Sequence, residues 1–144
     1  MDIIVTTPKS RMADAAQEAA NCIQAGGGEY FRRFHSIHYP RHMKIGSRIY
    51  YVENGYIRGF ATISRVAHVP TQGMQCDTTG RWYSQGCFVF MPADSWRWIK
   101  PIPLRGFQGY RYVHPKSIGP RLWAMIGQAE IVGGWRDKRP EVML

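Results

Sequence analysis

The sequence predicts an α+β fold: a small, mixed, mostly antiparallel β pseudo-barrel with flanking helices. Three observations predict it. A β-branched run, Ile3-Ile4-Val5-Thr6, begins two residues into the chain. One helix-forming stretch, Ala13 to Gln24, follows it. Beyond these, apolar runs separated by turn residues dominate, the first of them a hairpin at Asn54-Gly55. A strand, then helix, then several mainly antiparallel strands fits a small barrel plugged or flanked by helices.

The elements follow in order. Ile3 to Thr6 reads as a buried strand, ended by Thr7-Pro8. Ala13 to Gln24 reads as a helix with Met12, Ala16, Ala19, Ala20 and Ile23 along one side, and it stops at Gly26-Gly27-Gly28. That glycine run lacks the Lys-Ser/Thr of a phosphate loop. Glu29 to Phe34 reads as a short helix with Arg32 and Arg33 between aromatics, and Pro40 interrupts the chain beyond it. Arg48 to Val52 and Tyr56 to Val66 form a hairpin, because Asn-Gly accepts the positive φ angles of a tight turn. In the return strand Ile57, Gly59, Ala61 and Ile63 alternate with Arg58, Phe60, Thr62 and Ser64.

Val69 to Gln85 is polar and reads as a long loop. Gly86 to Met91 is an apolar strand, and Pro92 to Ser95 a turn. Trp96 to Leu104 is extended, with Pro101 and Pro103 placing it at an edge or sheet end. Arg105 to Val113 mixes Gly, Arg and aromatics. Arg121 to Ile126 is a short helix after Pro120, Ala129 to Val132 a last strand, and 133–144 a basic C-terminal tail. The 144 residues suit a single domain, 1–144.

Charge narrows the function classes. There are 19 Lys+Arg against 10 Asp+Glu, a formal net charge of +9, and 14 of the 19 are Arg. Aromatics make up 13%, and single Arg residues stand among them. Arginines interleaved with flat rings suit an acidic polymer carrying bases, RNA or DNA. Three cysteines cannot all pair within one chain, and no Cys-x-x-Cys occurs. A reducing, cytoplasmic location is expected, with no signal peptide and no membrane-spanning run.

Several residues could carry chemistry. Trp82 and Tyr83 lie on the long loop, and Tyr110 lies among Arg105, Gln108 and Arg111. These aromatics could wall a base pocket with Arg at its rim, or pack as ordinary sheet-face residues. Trp96, Trp98, Trp123 and Phe88 are expected in the core. Arg32, Arg33, Arg41, His42 and Lys44 could clamp phosphates or form an ordinary solvated face, the latter being the expectation for Lys44. Thr6 and Thr7 end the first strand, where they could line a cleft or cap the next helix, and Lys9 could join them. His35, His38 and His42 have metal-like spacing, but Pro40 breaks the helix that would align them, so neither metal nor cofactor is expected. Cys87 reads as an inert buried thiol. No catalytic constellation can be assembled. A hydrolase or ribonuclease would have to rely on Lys9, Thr6 or Glu53, and a protein-interaction or inhibitor domain of a mobile element is the other alternative.

Four features in order resemble the EVE and ASCH branch of the PUA-like superfamily. Ile3-Ile4-Val5-Thr6-Thr7-Pro8 is similar to a first strand ending in Thr-Glu-Pro. Tyr30 to Phe34 sits where that group has an aromatic, Arg-bearing helix. His42 to Tyr51, followed by Gly59 to Ile63, resembles its Met-Lys-x-Gly-Asp stretch and the following Gly-x-Ala-x-Ile. Trp98 to Leu104 resembles its later Pro-Val-x-Leu strand. Ser47 stands in place of Asp and Thr7 in place of Glu, and the Gly-x-Lys-x-x-Glu-x-Arg signature of ASCH domains is absent. The resemblance implies a pseudo-barrel whose cleft binds RNA or a modified base in DNA, with Thr6 facing the ligand.

Overall fold

The computed structural model describes residues 1–7, 15–34, 40–69, 74–75, 80, 82–83 and 86–141. Eleven strands and three α-helices are defined among them. The largest sheet has six strands in the order β10-β1-β3-β4-β9-β11. These are β1 (Ile3–Thr6), β3 (Arg48–Glu53), β4 (Tyr56–Thr62), β9 (Arg97–Pro103), β10 (Tyr110–Tyr112) and β11 (Ile131–Gly134). A second sheet pairs β2 (Glu29–Phe34), β8 (Gly86–Pro92) and β5 (Arg65–Val69) in the order β2-β8-β5. A two-stranded ribbon joins β6 (Met74–Gln75) to β7 (Trp82–Tyr83). Only β1 and β3 run parallel; the other described pairings are antiparallel. The sheets are open, and they face each other rather than close into one barrel.

Apolar residues on both faces of the large sheet explain this layering. Ile3, Val5, Ile49, Tyr51 and Ala61 point inward, against Tyr30, Phe34, Val89 and Met91 of the second sheet. Helix α1 (Ala15–Gln24) adds Ala16, Ala19 and Cys22 to this core. Ile4, Tyr50, Val52, Phe60 and Ile99 point outward, where α2 (Pro115–Ile118) and α3 (Pro120–Gly127) cover them through Ile118, Leu122 and Ile126. Every residue from Ile49 to Glu53 is therefore buried, as expected for a strand covered on both faces.

Four expectations need correction. Glu29 to Phe34 is a strand, not a helix. Tyr30 and Phe34 are its buried residues, and a four-residue spacing falls on one face of a helix and of a strand alike. Pairing with β8 along the whole segment decides for the strand. The return strand of the hairpin does not reach Val66. Ile63 still bonds within the large sheet, donating to the Ser47 carbonyl, whereas the Ser64 amide donates to Phe90 of the second sheet. One residue thus turns the corner between sheets, with no Gly or Pro to mark it.

The long loop is partly structured, since β5 extends through Val69 and the ribbon follows. Strand β9 lies inside the sheet, between β4 and β11. Its prolines are accommodated because β11 pairs only with Arg97 to Ile99, and because the register with β4 shifts between Ile57 and Gly59. That shift has a second effect. It turns Ile57 to the outer core while Ala61 and Ile63 stay in the inner one.

The Asn54-Gly55 turn forms as expected, with φ of 50° and 83°. Gly59 is required by close approach. A β-carbon there would lie 2.4 Å from the Arg97 carbonyl and 2.5 Å from the Trp96 ring.

The 133–141 segment folds back on the sheet. The Asp137 carbonyl accepts from Trp98 Nε1 at 3.2 Å, and the Pro140 carbonyl accepts from Arg58 Nη2. No helix among the described residues is long and apolar enough to cross a membrane.

Candidate nucleic-acid interface

The C-terminal end of β1 collects side chains from four parts of the chain. Thr6 Oγ1 accepts from the Phe107 amide at 3.1 Å, which ties the loop before β10 to β1. Gly106 lets that loop approach, since a β-carbon there would lie 3.0 Å from Thr6 Cγ2. The Thr7 amide donates to Val52 at 2.9 Å and extends the ladder by one residue. Arg32 reaches across from β2 and donates to the Thr6 carbonyl at 3.5 Å. Its guanidinium stands 5.8 Å from the Phe34 ring centre and 5.9 Å from that of Tyr51, within cation–π range.

Aromatic contacts continue the row along β10. Phe34 meets Tyr110 edge-on at 6.2 Å, and Tyr110 meets Tyr112 at 5.4 Å. Tyr112 then packs on His42 at 5.5 Å and accepts from the His42 amide at 3.1 Å. Burial, followed by the hydrogen bond and charge of Tyr112, pushes the Tyr110 hydroxyl above its ordinary pKa, although the Arg41 charge opposes this. Tyr110 therefore stays protonated at neutral pH, with its hydroxyl hydrogen-bonded to Tyr112. The result is a basic, aromatic seam where β2 meets the β1–β10 edge.

The structure brings Thr6, Thr7, Arg32 and Tyr110 together, with Arg105 exposed beside Gly106. It separates the other candidates. As a strand, β2 sends Arg33 to the face opposite Arg32, so the two cannot clamp one phosphate as neighbours on a helix would. Arg111 is on the outer face of β10 and stacks on Phe107 at 4.3 Å, while its neighbour Tyr110 faces inward. Gln108 is exposed in the preceding loop. Trp82 is 66% exposed and stands on the ribbon with Tyr83, apart from the seam contacts just described. Lys9, His35 and His38 lie outside the described residues. No group of three or more His, Cys, Asp or Glu able to hold a metal occurs among the described residues.

Of the expected core aromatics, Trp96, Trp98 and Phe88 are buried, but Trp123 is 47% exposed. Glu53, the candidate general base, is 5% exposed and ion-paired with Arg139 at 2.7 Å. Arg58 is buried nearby, and both Arg58 and Arg139 lie about 6 Å from the Trp98 ring, at 6.0 and 5.8 Å. Sequence reasoning passed over this charged group. Its signal was an arginine inside an otherwise apolar strand, Tyr56-Ile57-Arg58-Gly59-Phe60.

No protein-family model and no curated protein sequence matches the chain. A solved structure does: a serine-to-alanine mutant of ZmASCH from Zymomonas mobilis. The two superpose with a TM-score of 0.53 at 12% identity, covering 90% of this chain and 96% of that one. The fold is ASCH-like. The likeness extends over the first strand, the hairpin and the β9 region, on which the expected fold rests. In this ASCH-like frame the seam lies at the end of the first strand, between the two facing sheets.

Proposed function

We propose that this ASCH-like domain binds nucleic acid, RNA or a strand carrying a modified base, along the seam at Thr6, Arg32 and Tyr110. One observation carries the reading: Arg32 is held against the β1 terminus between two aromatic rings, at the join of the two sheets. Such a guanidinium keeps a fixed direction for pairing with a phosphate or base edge. Tyr110 supplies a neutral hydroxyl beside it, and Arg41 and Arg105 supply exposed charge. The net charge of +9 favours the approach of a polyanion. Trp82, exposed on its ribbon, provides a second flat surface on which a base of the same strand stacks. Thr7 extends the contact at the β1 end.

Titration of labelled single-stranded RNA and DNA at low salt tests this. The expected result is saturable binding that weakens steeply as salt rises. Absence of binding to either polymer contradicts it. A hydrolase reading finds less support, because Glu53 is already committed to Arg139.

A further inference from the structure

A second concave site lies on the opposite face of the large sheet. It is a groove of about 460 Å³ between the start of β1, the start of β3 and helix α3, lined by Asp2, Arg48, Tyr50, Trp123, Ile126 and Gln128 among others. Ile126 is buried and anchors α3 to the sheet. Trp123, one turn earlier on the helix, forms a half-exposed flat wall. The polar groups facing it are of both kinds. Asp2 Oδ1 accepts the Arg48 amide at 2.8 Å, and its second oxygen takes no donor among the described residues. Tyr50 is 2% exposed and accepts from Arg48 Nη1 at 3.2 Å. Its own hydroxyl proton meets no acceptor among the described residues. Burial raises its pKa, so the proton stays in place. The guanidinium of Arg48 is already engaged by Tyr50 and by the Phe60 face at 4.2 Å.

We propose that this groove binds a neutral planar heterocycle with a donor and an acceptor on its edge, namely a nucleobase. Trp123 stacks on its face, Asp2 accepts from an exocyclic amine, and Tyr50 donates to a ring nitrogen or carbonyl. A bare phosphate would meet the Asp2 carboxylate and an Arg48 guanidinium already engaged by Tyr50 and Phe60. The volume falls in the usual range for small-ligand pockets. A buried hydroxyl with an uncommitted proton is costly unless a ligand receives it. The base can belong to a free nucleoside or to a nucleic-acid strand.

The full chain is titrated with adenosine, cytidine and uridine, and separately with a short single-stranded RNA, while the backbone amide NMR signals of Ala124 and Gln128, which also line the groove, are followed in the wild type and in each variant. Saturable shifts are expected, stronger for adenosine and cytidine, whose exocyclic amine Asp2 accepts, than for uridine. A response to free nucleosides assigns the site to them; a response to the RNA alone assigns it to a base within a strand. Trp123→Ala should weaken binding at least about tenfold, the scale of one lost base stack, and Tyr50→Phe should weaken it without moving other resonances. Trp123 is half exposed, so its loss leaves the fold intact, and Tyr50→Phe keeps the ring in place. No saturable shift with any of these probes overturns the proposal. So does binding that both variants leave unchanged. Arg32→Gln separates the two sites: it should weaken salt-dependent RNA binding and leave nucleoside titration as it was.

Discussion

The hydroxyl of Thr6 and the amide of Phe107, 101 residues apart in sequence, are joined by a 3.1 Å hydrogen bond. This bond positions the Gly106 loop over the end of β1 and so shapes one side of the seam. Thr6→Val keeps the volume but removes the acceptor. It should cost about 1 kcal/mol of unfolding free energy by urea titration. Thr6→Ser, which keeps the oxygen, should recover most of it. A loss for Thr6→Ser with none for Thr6→Val would show that the methyl contact with Gly106, not the hydrogen bond, holds the loop.

Gly59 has no room for a side chain. Gly59→Ala forces a β-carbon against the Arg97 carbonyl and the buried Trp96 ring. A loss of about 2 kcal/mol or more is expected, because a tightly packed core accommodates added volume poorly. The measurement is the denaturant midpoint. A shift worth less than about 0.5 kcal/mol, the size of a neutral surface change, would mean that β4 and β9 separate easily here.

Glu29 links the corner to the second sheet. It accepts from Ser64 Oγ at 2.5 Å and from Arg65 Nε at 3.2 Å. The Ser64 hydrogen bond, aided by Arg65 and opposed by burial, holds its carboxyl below the ordinary glutamate range. A lowered folded-state pKa stabilises the fold above the unfolded-state value, and that contribution disappears as pH falls through the folded-state pKa. The melting-temperature gap between the wild type and Glu29→Gln should therefore be full near about pH 6 and close toward about pH 3. A gap that stays constant over this window would exclude ionisation as the cause.

Trp82 is the exposed aromatic assigned to base stacking. Trp82→Ala should leave stability within about 0.5 kcal/mol. It should weaken single-stranded RNA binding by about 1–3 kcal/mol, the range for one stacked base. Unchanged affinity in fluorescence titration would remove the ribbon from the interface.

How much of this was legible in the sequence depended on range. The Ile3–Thr6 strand and the Asn54-Gly55 hairpin are local, and β-branched runs and turn chemistry report them directly. Glu29–Phe34 was misread because the Tyr30–Phe34 spacing satisfies both periodicities, and only β8, some 60 residues later, resolves it. The same misreading paired Arg32 with Arg33, which the strand sends to opposite faces. Ile57 changes face through a bulge that no residue type announces. At the site, Thr6, Arg32 and Tyr110 were each singled out as residue types, but their meeting point depends on sheet order, which is a tertiary property. Tyr50 and Trp123 escaped notice as ligand groups because a buried tyrosine and a helix tryptophan ordinarily read as core.

Fluorescence anisotropy of a labelled single-stranded RNA, measured against salt for the wild type and Arg32→Gln, tests the central claim most directly. The account predicts weaker binding for the variant and a salt dependence, as log affinity against log salt, shallower by about 0.7, the loss of one phosphate contact on a single strand. Near-ultraviolet circular dichroism should match between the two proteins. Identical affinity and identical salt slope in a correctly folded Arg32→Gln protein would contradict the account.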